Sequence, residues 1–190
     1  MGSPVSRRVP RRSDDYDAAP APGTSDATDL YHSTRKGRLG MKGILIGGKR
    51  FVHETEIRVR FSETDANKHV SQLSYVIYFE QARTELIDTL AGESFDWWSQ
   101  NYSLVLARQS LSYLAPAFFR QSLKIFTGIA SIGRSSLNLY HLIIEKEHGT
   151  LIANQDSTVV LMDQDAQKNR AWPESFRDGV RGLLNEEADP

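Results

Sequence analysis

Asp65, His69 and the residues from Ser71 onward put an acid, an imidazole and a helix start within a few positions of one another. In the run Arg60-Phe61-Ser62-Glu63-Thr64-Asp65-Ala66-Asn67-Lys68-His69-Val70-Ser71-Gln72, a strand closes on a carboxylate pair and a polar turn leads into a helix. Ser71 is the predicted N-cap, its hydroxyl taking one of the amide protons that a first helical turn leaves unpaired. The other free amides, Gln72's among them, suit an anion or a polarised carbonyl oxygen. A carboxylate beside such amides can act as base or nucleophile while the amides hold the developing oxyanion, which is what acyl transfer requires. Asp65 is placed for that task, although on spacing alone it is equally a turn former. Glu63 reads as a solvated strand-end acid on the same strand face. His69 either bonds the turn backbone or reaches a substrate or Asp65.

The elements that must hold these residues follow from periodicity. Phe51 to Phe61 alternates, with Phe51, His53, Thr55, Ile57, Val59 and Phe61 on one face, the pattern of a half-buried strand. From Gln72 to Leu90 there is no Gly or Pro, and Tyr75, Phe79, Ala82, Leu86 and Leu90 recur at helical spacing. Leu73, Val76 and Ile77 add a second apolar strip, so the helix is expected to be enclosed by the fold. Glu80, Arg83 and Glu85 read as ion pairs along it. Four strands follow, at 104–114, 123–132, 135–147 and 151–162, with a hairpin at His148-Gly149. Pro173 opens a final helix whose buried stripe is Phe176, Val180 and Leu183 or Leu184. The order β-α-β-β-β-β-α predicts an α+β fold, an antiparallel sheet of about five strands curved round one helix.

Composition narrows the function classes. The 190 residues suit one domain, with 39% hydrophobic and 25% charged residues and a net charge of −1. A basic field for nucleic acid is missing, and so is any apolar run of the ~20 residues a membrane-spanning helix needs. With no cysteine, a thiolate metal site and a Cys nucleophile are excluded, and a cytoplasmic location fits. The five histidines show no paired spacing, so no metal is expected. Residues 1–48 read as a disordered extension, with Met41 a candidate natural start. Arg7, Arg8, Arg11 and Arg12 hint at a targeting peptide, but Asp14, Asp15 and Asp17 argue against one. Residues 49–165 are the expected domain and 166–190 a tail with a short helix.

Phe61-Ser62-Glu63-Thr64-Asp65-Ala66, His69-Val70, Tyr75 and Tyr78-Phe79-Glu80-Gln81-Ala82-Arg83-Thr84-Glu85 resemble the 4-hydroxybenzoyl-CoA thioesterase-like branch of the hotdog superfamily. Tyr113-Leu114-Ala115-Pro116-Ala117 and Ile132-Gly133-Arg134-Ser135-Ser136 carry the same resemblance, which spans residues 50–163. It implies a hotdog fold, hydrolysis of acyl-CoA or acyl-carrier-protein thioesters, and a homodimer or homotetramer with sites between subunits. No cofactor is implied, CoA being part of the substrate.

By the same resemblance Asp65 is the catalytic acid and the backbone amide of Gln72 polarises the thioester carbonyl. His69 lies near the site, Tyr75 forms a pocket wall, and Ser71, Arg134 and Ser135 contact substrate. Arg120 and Lys124 are further candidates for the CoA phosphates, and Phe95, Trp97 and Trp98 for the acyl pocket or the core. The sequence departs from the common pattern at Asn67-Lys68, where many relatives have Gly before His-Val, and at Ser71-Gln72, where Asn is frequent. Because fold does not fix function, a non-catalytic acyl-thioester binding module and a hotdog hydratase or dehydratase stand as alternatives.

Overall fold

The structure is a computed structural model that describes residues 32–36, 42–92, 95 and 101–185. Its elements are strands β1 (His32–Lys36), β2 (Lys42–Ile46), β3 (Lys49–Phe51) and β4 (His53–Arg58), helix α1 (Gln72–Ala91), strands β5 (Tyr102–Tyr113), β6 (Ser122–Ile132), β7 (Ser136–Glu145), β8 (Leu151–Asp163) and β9 (Lys168–Asn169), and helix α2 (Glu174–Asn185). An antiparallel sheet in the order β4-β6-β7-β8-β5, with β9 added on β8, curls round α1. This is the hotdog architecture, and the elements after Gln72 fall within two residues of their expected bounds.

Alternation explains the sheet's inner face. Along β7 the buried residues are Leu137, Leu139, His141, Ile143 and Glu145, which turn toward α1. On α1 the predicted stripe of Tyr75, Phe79, Ala82, Leu86 and Leu90 is buried. The core divides in two. Tyr75, Tyr78, Phe79 and Ala82 pack with Val59, Val70, Leu123, Ile125, Ile143 and Ile152. Leu86, Ile87 and Leu90 pack with Leu137, Leu139, Val159 and Leu161 and with Trp172, Phe176 and Val180 around α2. Between the halves lies a polar layer. His141 sits between the Thr127 hydroxyl at 3.0 Å and the Ser157 hydroxyl at 3.2 Å, and buried Arg83 acts on it electrostatically. Burial first, and then Arg83, push the His141 pKa down to about 3, so the ring is neutral at physiological pH.

The structure departs from expectation in several places. The segment expected to be disordered through residue 48 holds β1 and β2, which join β3 in a separate antiparallel sheet. A Gly47-Gly48 turn with both φ positive closes β2 onto β3. Ile46 and Phe51 then bury against Phe126 on the outer face of the main sheet, with Ile44, Tyr140, Leu142 and Ile144 beside them. The fit is close at Gly128, where an added Cβ would meet the Tyr140 ring and the Arg50 carbonyl, and the Tyr140 hydroxyl donates to that carbonyl. The expected Phe51–Phe61 strand is interrupted at Val52 and ends at Arg58. A 3-10 turn over Phe61–Glu63 follows, which leaves Phe61 exposed and takes Glu63 and Asp65 off a common strand face. The second strip on α1 is not enclosed, since Leu73 and Ile77 are 68% and 59% exposed. The stripe of Phe176, Val180 and Leu183 expected in α2 is buried, and Trp172, which the sequence reading did not include, joins it in the core. Of the ion pairs expected along α1, Glu80 acts on Arg83, whereas Glu85 bonds Gln81, Thr55 and His53. Phe95 is buried against Tyr102 and Phe176, while Trp97 and Trp98 lie outside the described residues.

Candidate active site

The turn between β4 and α1 is fixed by its own backbone and by one carboxylate. Asp65 N donates to the His69 carbonyl at 2.8 Å, Lys68 N to the Asp65 carbonyl at 3.0 Å, and Val70 N to the Ala117 carbonyl at 2.8 Å. Glu63 clamps this turn to the helix. Its carbonyl accepts from Ser71 N at 2.8 Å and from the Ser74 hydroxyl at 2.9 Å. Its carboxylate accepts from Arg60 N at 2.7 Å and from the Tyr78 hydroxyl at 2.7 Å. Burial and the adjacent Glu63 carboxylate push the Tyr78 pKa far up, so this hydroxyl stays a donor. Glu63 is therefore scaffold.

Asp65 is exposed at the mouth of a cleft of about 400 Å³ lined by Asp65, His69, Gln72, Tyr75, Leu114 and Pro116 among others. One carboxylate oxygen, Oδ1, accepts from Asn67 N at 2.8 Å and from His69 N at 3.3 Å. Oδ2 has no partner among the described residues. Ser71 caps α1, its hydroxyl accepting from Leu73 N at 3.4 Å, and Ser74 N donates to the Ser71 carbonyl at 2.9 Å. The Gln72 amide has no acceptor among the described residues, and it stands where the helix dipole favours negative charge. Tyr75 is buried against Tyr113, with ring centroids 5.4 Å apart. Burial raises its pKa, opposed by a backbone hydrogen bond from Ala117. The His69 ring does not bond the Asp65 side chain. Its ring packs edge-on to Phe118 with centroids 5.2 Å apart.

The fold thus gathers Asp65, His69, Gln72 and Tyr75 round one cleft, with Ser71 behind as the cap. It does not bring Arg134 and Ser135 there within one protomer. They form the β6–β7 turn, and the cleft lies beside the opposite ends of those strands. An 11-residue β6 puts roughly 35 Å between the two ends. Arg120 lines a separate groove on the other flank of α1, and Lys124 pairs with Glu54 at 2.8 Å. Sequence reasoning overlooked the Tyr113-Leu114-Ala115-Pro116 wall of the cleft. The signal was an apolar pair ending β5 at a proline.

In the turn before α1, Lys68 adopts φ 66°, a backbone conformation that glycine takes up more readily. The sequence profile of the thioesterase-like superfamily matches residues 59–180. The chain belongs to that superfamily. It is 32% identical to the Escherichia coli acyl-CoA thioester hydrolase YbgC over 120 residues, covering 63% of this chain and 89% of YbgC. It is 26% identical to the E. coli long-chain acyl-CoA thioesterase FadM over 132 residues, covering 69% of this chain and 98% of FadM. Among solved structures, a Staphylococcus aureus protein determined in complex with CoA superposes with a TM-score of 0.64 at 18% identity, over 73% of this chain and 85% of that one. Among the described residues no helix is long and apolar enough to cross a membrane.

Proposed function

We propose that this chain hydrolyses acyl-CoA thioesters at the Asp65 cleft. The observation that carries the reading is the pairing of a carboxylate with one free oxygen and an unpaired helix amide in one cleft, on a chain of the thioesterase-like superfamily. The thioester carbonyl oxygen accepts from Gln72 N, where the helix dipole favours the negative charge of the tetrahedral intermediate. Asp65 Oδ2 then acts in one of two ways. As base it takes a proton from a water whose oxygen bonds to the carbonyl carbon. As nucleophile it bonds to that carbon itself, and water later opens the mixed anhydride. In both cases the carbon–sulfur bond breaks, the thiolate takes up a proton, and a free acid and CoA leave. Tyr75 and Tyr113 wall the acyl side. CoA enters as substrate, and the chemistry calls for no other group.

A second copy completes the site. Strand β5 is one edge of the sheet, 12 residues long and exposed along most of its length. An unprotected edge of that length is a template for another strand. Two copies paired antiparallel along β5 place the Arg134–Ser135 turn of one beside the Asp65 cleft of the other, within reach of the phosphates of CoA.

The test is thiol release from a panel of acyl-CoA esters of varied chain length, with aromatic esters included, by wild type, Asp65→Asn and Asp65→Ala. Both variants should lose roughly 10²-fold or more in kcat/KM on the best ester. Wild-type rates in both would remove Asp65 from the mechanism, and tight ester binding by the wild type without release would make the protein a binding module.

A further inference from the structure

Apart from Val105 and Leu106 in β5, every exposed large apolar side chain among the described residues sits at the end of the molecule that holds the Asp65 cleft. They stand on separate segments: Phe61 on the 3-10 turn, Leu73 and Ile77 on the first turns of α1, and Leu114, Phe118 and Phe119 on the loop after β5. Phe61 is 75% exposed and packs edge-on to Phe119 with centroids 5.8 Å apart. Between them runs a groove of about 640 Å³ whose lining combines Phe61, Ile77 and Phe119 with Arg58, Arg60 and Arg120.

The charges in this groove are unbalanced. Its carboxylates are engaged, Glu56 by Lys146 at 2.8 Å and Glu63 by the Tyr78 hydroxyl and Arg60 N. The guanidinium groups of Arg58, Arg60 and Arg120, and the ammonium group of Lys68 on the nearby turn, have no carboxylate within 4.0 Å among the described residues. Arg120 lies over the Phe119 ring at 5.0 Å, so a guanidinium and an aromatic tip are presented together. Exposed aromatic and aliphatic tips interleaved with cations match the chemistry of an anionic bilayer surface, where apolar groups enter the acyl boundary and cations meet phosphates.

We propose that this end of the protein docks on anionic phospholipid membranes, with the arginine groove on lipid phosphates and the cleft mouth facing the interface. A second copy fits the groove less well, because a two-fold contact through this face would set its arginines against themselves. A fluid surface also accepts tips that stand on unrelated segments, which a rigid partner would have to match in shape. The proposal rests on the thioesterase reading in one respect. It makes the substrate class amphipathic acyl thioesters that partition into membranes, taken up beside Leu114 and Pro116 at the mouth.

The experiment is flotation of the full chain with vesicles of phosphatidylcholine alone and of phosphatidylcholine mixed with phosphatidylglycerol, at low and high salt. Thiol release from a water-soluble short-chain ester is measured alongside. Wild type should float with the phosphatidylglycerol vesicles, more weakly at high salt. Each cation lost from an anionic surface weakens binding about fivefold, so Arg58→Gln with Arg120→Gln should weaken it on the order of 25-fold. Phe61→Ser should also reduce flotation, and the short-chain activity of Phe61→Ser and of Arg58→Gln alone should persist. No flotation of wild type at low salt overturns the proposal. Unchanged flotation of both variants also overturns it by placing the contact elsewhere. So does wild type that fails to float but forms larger assemblies which Phe61→Ser disperses. Loss of short-chain activity in Asp65→Asn with flotation intact keeps the two readings separate.

Discussion

The C-terminal half of α1 lies in a closed apolar cluster with Trp172 and Phe176, whose rings stack at 4.6 Å, whereas its N-terminal half meets a turn held by backbone hydrogen bonds and rimmed with exposed aromatic side chains. At the far end, side chains from both helices and three strands interlock, and no polar group has to be exposed to a ligand. At the cleft end the same helix leaves its first amide open and its neighbour Asp65 half satisfied. The contrast runs along one helix: burial at one terminus anchors the element, and incomplete hydrogen bonding at the other leaves an amide and a carboxylate oxygen free for the proposed reaction. Mutations at the two ends should accordingly read out in different measurements.

The largest effect expected is at the closed end. Phe176→Ala should lower unfolding free energy in denaturant titration by about 3–5 kcal/mol, the usual range for an emptied aromatic site. The protein that remains folded should keep its kcat/KM. A matching fall in kcat/KM would show that the ends are coupled. Next is Tyr78→Phe, which deletes the hydroxyl that donates to the Glu63 carboxylate at 2.7 Å. It should cost about 1.5–3 kcal/mol, as expected for a hydrogen bond to a charged group. Unlike Phe176→Ala it should also lower kcat, since it loosens the turn that carries Asp65.

The polar layer between the ends gives a pH signature. The His141 pKa is about 3 in the folded protein against an ordinary 6.5. A depressed folded pKa means that the unfolded chain binds the proton first. Its contribution is therefore intact above pH 6.5 and is lost as pH falls toward 3. By pH 5 the loss should reach about 2 kcal/mol, and denaturant titrations of His141→Gln between pH 7 and 5 should lack this share of the slope. The same slope in both proteins would assign the loss to other groups. The lowered carboxylate pKa values of Glu85 and Glu145 act only below their ordinary range and leave this window clear. Smallest is Gln72→Ala. With only the main-chain amide facing the carbonyl, kcat/KM should change less than about threefold and stability by less than about 0.5 kcal/mol. A large loss would give the Gln72 side chain a part in the reaction.

What the sequence revealed and concealed follows the range of the interactions. The buried stripe of α1 and the bounds of β6, β7 and β8, each set by a nearby turn residue, are local patterns, and both are found as read. Ser71 as the cap, and Asp65 beside the first amide of α1, are also local, being fixed by a turn of a few residues. Leu73 and Ile77 look like core because they are apolar, yet none of the described residues reaches over them. The Glu63–Tyr78 clamp joins a turn to a helix 15 residues on, with no periodic signal. Arg134 and Ser135 carry the family resemblance as the site does but stand a full strand length from it, because shared motif words do not fix distance in space. The β2–β3 hairpin was hidden because its apolar partners Phe126, Tyr140 and Leu142 lie far along the chain.

That hairpin has a consequence for the order in which the molecule is made. Residues 42–51 leave the ribosome before any of β6 or β7, yet the seat they occupy consists of Phe126, Tyr140, Leu142 and Ile144, with Gly128 flat beneath the Arg50 carbonyl. At a synthesis rate of 5–20 residues per second, roughly 5–20 s separate Phe51 from Ile144. Throughout that interval Ile44, Ile46 and Phe51 travel with their apolar faces uncovered. The first strands to be made are therefore among the last to be placed.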